Sequence, residues 1–266
     1  MDIVIYDEGA AEELNTREIA RYLEEKLKKD NVEVRGSPFD RVPADAVENL
    51  AGKIACIKIQ QINRRLSPEQ ETLYAEIEYE KRRILDRTRA FGVIYDGFHL
   101  VKVLNTVLPR DEYGAGFIHI IFTNRLFATW DDQNRRYHLR TSIYAMPSII
   151  STTGLIEAPA RTREYYLLKQ EYERLGRDPA ELNNKFRDRF LDYGDERLTE
   201  VARGYAMQAV FYHLTGDPFC EDRGCRLYNA HWQEELIFAQ LKSDYEFCPR
   251  HAEFLRKARQ VQNVKP

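Results

Sequence analysis

The chain has 266 residues, long enough to bury a large core, and its 40 basic and 43 acidic side chains leave a net charge of −3. That balance gives no bulk attraction to nucleic acid or to an anionic membrane, so a membrane is not an expected partner and nucleic acid is a disfavoured one, open only through local patches. The opening MDIVIYDEG has no basic run and its apolar stretch ends at Tyr6, unlike a secretion signal, and no stretch of the sequence approaches the length of a membrane span.

Strand and helix alternate in the first third. Ile3 to Tyr6 reads as a short strand, and a helix follows from Asn15, with Glu18 three residues on in the spacing of a capping box. Ile19, Leu23 and Leu27 give that helix one apolar stripe. After the Lys-Lys-Asp-Asn turn, Val32 to Val34 closes a βαβ unit. Pro43 marks a helix start, Ile54 to Ile59 reads as a strand, and a charged helix is expected from Ser67 to Ala90. The middle is expected to be β-rich, with strands over Phe91–Tyr95, His99–Leu104, Phe117–Thr123, Leu126–Trp130 and Tyr137–Tyr144. Asp96-Gly97 and Asp131-Asp132-Gln133-Asn134 are the turn signals. Beyond Gly154 and Pro159 the pattern is helical, over 162–176, 179–190, 195–215, 229–242 and 249–259. The order predicts an α+β protein with an α/β-like N-terminal part, divided into 1–190 and a helical 191–266.

Within the last fifth of the chain, Cys220, Cys225, Cys248 and His251 fall in two closely spaced pairs. The first is C-E-D-R-G-C, where Gly224 allows a tight turn, and the second is C-P-R-H at the start of a helix. Three thiolates and an imidazole at these spacings suit one tetrahedral zinc ion, and four protein ligands leave no open position, which makes the site structural. Thiols kept for a metal belong in a reducing compartment, so a cytoplasmic protein is expected.

The stretch H-L-T-G-D-P-F-C-E-D-R-G-C-R-L from His213, followed by F-C-P-R-H from Phe247, resembles the archaemetzincins, a branch of the metzincin zinc peptidases. In that family an HExxHxxGxxH sequence runs straight into Cys-x₄-Cys-x-Met, with another cysteine pair some twenty residues later. The resemblance puts His213, Gly216, Cys220, Cys225 and Cys248 on family positions, with His251 replacing a cysteine. It implies a metzincin-like mixed sheet with a zinc-stapled helical C-terminal lobe. It also places Ala209, Val210 and Phe219 where the family has its first histidine, its glutamate base and its third histidine, and Leu227 where the methionine stands. Catalytic zinc needs three protein ligands, an open site for water and a carboxylate to take the water's proton. With His213 as the one remnant ligand, the resemblance implies that the structural zinc is kept and the catalytic one lost. Peptide binding or a scaffold role would then remain.

His213 itself reads as a residue in the last helical turn, favourably placed for the helix dipole, with Gly216 as the C-cap. Other donors considered for a second site are His99, His119, His138, Asp192, Asp195, Glu196 and Glu200, together with His231 and Glu235, which share a helix face if Asn229 caps a helix there. Ser142 to Arg161, rich in small hydroxyl residues, corresponds to the family's cleft-lining edge and is the expected place for a peptide or protein partner; an ordinary strand, turn and strand reads as well. No nucleophile elbow or phosphate loop is present. Two other readings stay open: a metal-dependent hydrolase with a different ligand set, and a zinc-knuckle module for RNA or protein.

Overall fold

The computed structural model describes residues 1–29, 32–67, 71–86 and 92–262. The opening strand is β1 (Asp2–Glu8), and α1 (Thr16–Leu27) follows it before β2 (Val32–Arg35), which pairs with β1 in parallel. Asn15 caps α1, its side-chain oxygen accepting from the Glu18 backbone N–H at 3.1 Å. The return leg of the expected capping box is missing. The Asn15 backbone N–H donates to the Thr199 hydroxyl at 2.8 Å, and Glu18 instead accepts from the Asn15 amide. Asp30 and Asn31 of the expected turn lie outside the described residues, and α1 ends on Lys28 in the left-handed conformation.

Two compact units divide the chain. One comprises Met1–Glu12 with Asn31–Leu155, the other Glu13–Asp30 with Ile156–Pro266. They do not follow the division at residue 190, because α1 leaves the strands it connects in sequence and joins the C-terminal helices.

The first unit holds both sheets. A five-stranded sheet runs β2-β1-β4-β8-β7, with β4 (Phe117–Thr123), β7 (Ser142–Ile143) and β8 (Ser148–Ser151). It is parallel except for β7, the short antiparallel edge. A three-stranded sheet runs β3-β5-β6, from β3 (Ile94–Asp96), β5 (Leu126–Asp131) and β6 (Arg136–Arg140). Val4, Tyr6, Ile121, Phe127 and Ile149 share one core with Leu50 and Ile54 of α2 (Val47–Ala55) and with Leu100 and Leu104 of α4 (Gly97–Asn105). The chain passes from β4 to β5, and so from one sheet to the other, at Asn124-Arg125. There the fully buried Arg125 guanidinium donates to Glu8 at 2.8 Å and to Glu80 at 2.6 Å, and lies over the Phe39 and Tyr95 rings, 5.9 and 5.3 Å from their centroids.

Three expectations in this unit are corrected. His99–Leu104 is not a strand but lies within α4, whose N-cap is Asp96: its carboxylate accepts from the His99 N–H at 3.1 Å, so the Asp96-Gly97 turn signal opens a helix. Ile54 and Ala55 end α2, and of the expected Ile54–Ile59 strand only one isolated pairing, Lys58 with Tyr95, is formed. The charged helix α3 (Tyr74–Asp86) starts later than expected, because Glu76 folds back to accept from the Leu73 N–H at 3.0 Å and fixes its start there. Residues 68–70 and 87–91 of that stretch lie outside the described residues, Phe91 of the expected next strand among them.

The region from Ser142 becomes β7, β8 and α5 (Thr152–Glu157). Gly154 sits inside α5 rather than at a bend, where a Cβ would come within 2.5 Å of the Arg140 carbonyl oxygen. The second unit continues with α6 (Arg163–Arg174), α7 (Pro179–Lys185), α8 (Leu198–Thr215), α9 (Gln233–Ile237) and α10 (Pro249–Gln262). Helix α8 is buried almost all round from Leu198 to Phe211, with Glu200 and Arg203 at its surface, so it is this unit's core element rather than an amphipathic one.

Candidate metal centre

The described part of α8 ends where the sequence predicts. Gly216, at φ 78°, takes the left-handed cap position, and its N–H donates to the Tyr212 carbonyl at 2.8 Å. The chain then enters the C-x₄-C loop. Cys220 N–H donates to the Leu227 carbonyl at 2.9 Å, and Cys225 N–H to the Asp222 carbonyl at 3.0 Å, so both cysteines face the same side of a tight loop. Gly204 lets this loop approach α8: a Cβ there would lie 2.8 Å from Arg226 Cγ and 1.8 Å from Gln240 Oε1. Arg226, next to Cys225, donates to Glu200 on α8 at 2.6 Å. Cys248 stands just before Pro249, and His251 lies in the first turn of α10.

Cys220, Cys225, Cys248 and His251 are all buried, and their ligand atoms lie within 4.8 Å of one another. The Cys220 and Cys248 sulfurs are 3.8 Å apart, and His251 Nδ1 is 3.5 Å from Cys225 Sγ and 3.2 Å from Cys248 Sγ. A tetrahedral zinc with bonds of about 2.3 Å to sulfur and 2.0–2.1 Å to nitrogen has S···S edges of about 3.8 Å and S···N edges of about 3.6 Å. The cluster therefore needs to close by about 1 Å at its widest pair to receive the ion.

The electrostatics of the cluster call for a cation. Burial pushes the Cys225 thiol up to about 12, with Cys220 and Cys248 opposing its ionisation further, and burial also raises Cys220, with Cys248 adding to the rise. A dication reverses this by supplying the charge that burial withholds. Burial, helped by Arg250, lowers His251 and so favours the neutral imidazole that a metal requires. Arg250 Nη2 lies 3.0 Å from His251 Nε2. Arginine can only donate, and a metal on Nδ1 puts the ring proton on Nε2, so this contact would have to open on binding. The Phe211 ring meets the imidazole edge-on at 5.2 Å and fixes its plane.

Among the described residues, no other group of three or more histidine, cysteine, aspartate or glutamate side chains could hold a metal. His213 is half-buried in the last turn of α8 and outside the cluster. His99 pairs with Asp96 at 2.9 Å, now on a helix, while His119 on β4 and His138 on β6 keep to the predicted strands. Asp195 is held by Arg197 at 2.6 Å and Glu200 by Arg226, and Asp192 lies 3.9 Å from Arg161. His231 and Glu235 do not share a helix face. Helix α9 begins at Gln233, four residues after Asn229, and the Glu235 carboxylate accepts the backbone N–H groups of His231 and Trp232 at 3.0 and 3.2 Å as its cap. Gly224 is required for a different reason from the one expected, since a Cβ there would lie 2.6 Å from the Tyr245 hydroxyl. The fourth cysteine, Cys56, is exposed and lies in the first unit, with its sulfur 2.9 Å from the Thr72 hydroxyl.

Sequence reasoning passed over Arg226, Asp222 and Tyr245. Asp222 was findable, since Asp two residues before Gly is a turn signal and its carboxylate does accept the Gly224 N–H at 2.9 Å. Tyr245 carries no such signal.

The model of a family described as "Probable metallopeptidase family (DUF6775)" matches residues 1–258, and the chain belongs to that family. Among solved structures, the crystal structure of archaemetzincin from Methanopyrus kandleri is similar, at 11% identity and a TM-score of 0.45, with 98% of this chain and 96% of that one covered. No curated protein matches. A metallopeptidase family and a buried Cys₃His donor set both suit zinc. Among the described residues no helix is long and apolar enough to cross a membrane.

Proposed function

We propose that this chain is a metallopeptidase-family protein that keeps one structural zinc and has lost metal-activated hydrolysis, and that it works by binding a peptide or protein. The observation that carries this reading is that the one metal-competent cluster among the described residues is closed, with four protein ligands and no site for water. Ala209 and Val210, which the resemblance to the archaemetzincins aligns with a histidine and a glutamate, are fully buried on α8 and can neither ligate nor accept a proton. Phe219 offers no ligand either. The zinc would stabilise the C-terminal helices, because its ligands do not converge in the unfolded chain and binding is therefore linked to folding.

A polypeptide is the partner to look for because the family is described as a probable metallopeptidase family. The expected pairing edge lends little to that search: β7 has two residues, too short a ladder to hold an added strand. Three buried ligand thiols suit a reducing compartment such as the cytoplasm. The test is incubation of the zinc-loaded chain with a mixed peptide library, with and without a chelator. Peptides should be recovered uncut in both, and chelator-sensitive cleavage would overturn the reading.

A further inference from the structure

The four ligands come from two segments, Cys220–Cys225 and Cys248–His251, and something must hold the segments together before an ion can use them. Arg226 and Glu246 do so in part, their side chains forming an ion pair at 3.6 Å, and two hydrogen bonds add to it, none of them between ligands. The first is main-chain: Arg226 N–H donates to the Glu246 carbonyl at 2.8 Å. The second joins side chains 23 residues apart, the Tyr245 hydroxyl donating to Asp222 Oδ1 at 2.6 Å.

Asp222 is engaged at four points. Its carboxylate accepts from Tyr245 and from the Gly224 N–H, its carbonyl accepts from the Cys225 N–H, and its own N–H donates to Cys220 Sγ at 3.4 Å. One residue thus sets the turn, aims Cys225 and places a donor on the Cys220 sulfur, where it would favour the thiolate. Tyr245 lies over Gly224 closely enough to exclude a Cβ, and is anchored by a bond from its N–H to Ser243 Oγ at 3.4 Å. Three residues after it comes Cys248.

We propose that Asp222 and Tyr245 form a clasp that holds the two halves of the Cys₃His site in register before the metal arrives, and so set its affinity without touching the ion. The inference rests on the reading of this cluster as a zinc site. Without the clasp the segments are tethered only at Arg226 and Glu246, and the entropy of ordering the cysteine loop against the second segment falls on each binding event. Loss of groups that orient ligands typically weakens metal binding 10–100-fold.

The test is zinc competition against a chromogenic chelator on the full chain, with D222A, D222N, Y245F, the double variant D222A/Y245F and C225S. D222A and Y245F should each weaken zinc about 10–100-fold. D222N, which keeps the accepting oxygen, should stay within a few-fold of wild type, and the double variant should be little weaker than its worse parent. The cobalt-substituted forms of all these except C225S should keep the same thiolate-to-metal absorption, showing an intact ligand set. Y245F leaves the ring over Gly224, so the test stays readable if D222A fails to fold. Wild-type affinity in Y245F, or equal loss in D222N and D222A, would overturn the clasp. Zinc retained at wild-type affinity by C225S would instead overturn the site itself.

Discussion

Writing into α8 the histidine and glutamate that the archaemetzincin resemblance aligns with Ala209 and Val210 should damage the protein rather than confer activity. Ala209 and Val210 are fully buried on a helix that is enclosed almost all round. Replacing Ala209 with His forces an imidazole into occupied space, at about 1–3 kcal/mol. Replacing Val210 with Glu forfeits about 1.5–3 kcal/mol of aliphatic burial. It also leaves a carboxyl without a partner, at about 1–3 kcal/mol on protein mutational scales. Together these reach about 4–9 kcal/mol, much of the 5–15 kcal/mol that a native domain usually has. The assay is urea unfolding of the triple variant A209H/V210E/F219H beside wild type, with zinc counted on both. The expected outcome is a strongly lowered midpoint and one zinc per chain. A triple variant within about 1 kcal/mol of wild type that bound a second zinc would show that the catalytic site is still shaped to receive one, and would refute the argument.

Three further outcomes are expected. Arg125→Met takes from buried Glu8 its one cationic partner among the described residues, leaving it the Thr123 hydroxyl, while Glu80 keeps Lys58 at 3.1 Å; it should cost about 3–5 kcal/mol in denaturant titration, whereas an unchanged midpoint would mean that the buried ion pairs contribute nothing. His119 is held below its usual range by burial, opposed by Glu112 and supported by Arg35, with the Tyr6 hydroxyl 3.3 Å from its Nδ1. Because the unfolded chain takes up the proton first, stability should rise as pH climbs towards about 6.5 and level off above it, and His119→Gln should flatten that slope; parallel slopes would contradict it. A maleimide should label one thiol per native zinc-loaded chain, the exposed Cys56, and four after chelation in denaturant, while rapid native labelling of three or more would deny the cluster its metal.

The residues spoke most clearly where a side chain acts locally. Asn15 before Glu18 and Gly216 after the last apolar turn announced caps through near neighbours, and both caps are in place; the Cys220/Cys225 and Cys248/His251 pairs, each close in sequence, come together in one buried cluster. The strands β1, β4 and β5 were legible as apolar runs. The stretch from His99 to Leu104 was not, because a continuous apolar run of that length fits a buried strand or a buried helix equally, and the deciding group was the Asp96 carboxylate acting as a cap. Ile54 to Ile59 failed for the same reason. The grouping of α1 with the C-terminal helices depends on contacts such as Asn15 with Thr199, far apart in sequence. At the metal centre the ligands were visible and their supports were not, since Tyr245 meets Asp222 only after the chain has folded back.

The most direct test of the central claim is zinc per chain by elemental mass spectrometry, on protein purified without a histidine tag or added metal, for wild type and C225S. The account predicts one zinc in wild type and none in C225S. Two in wild type, or one kept by C225S, would contradict it.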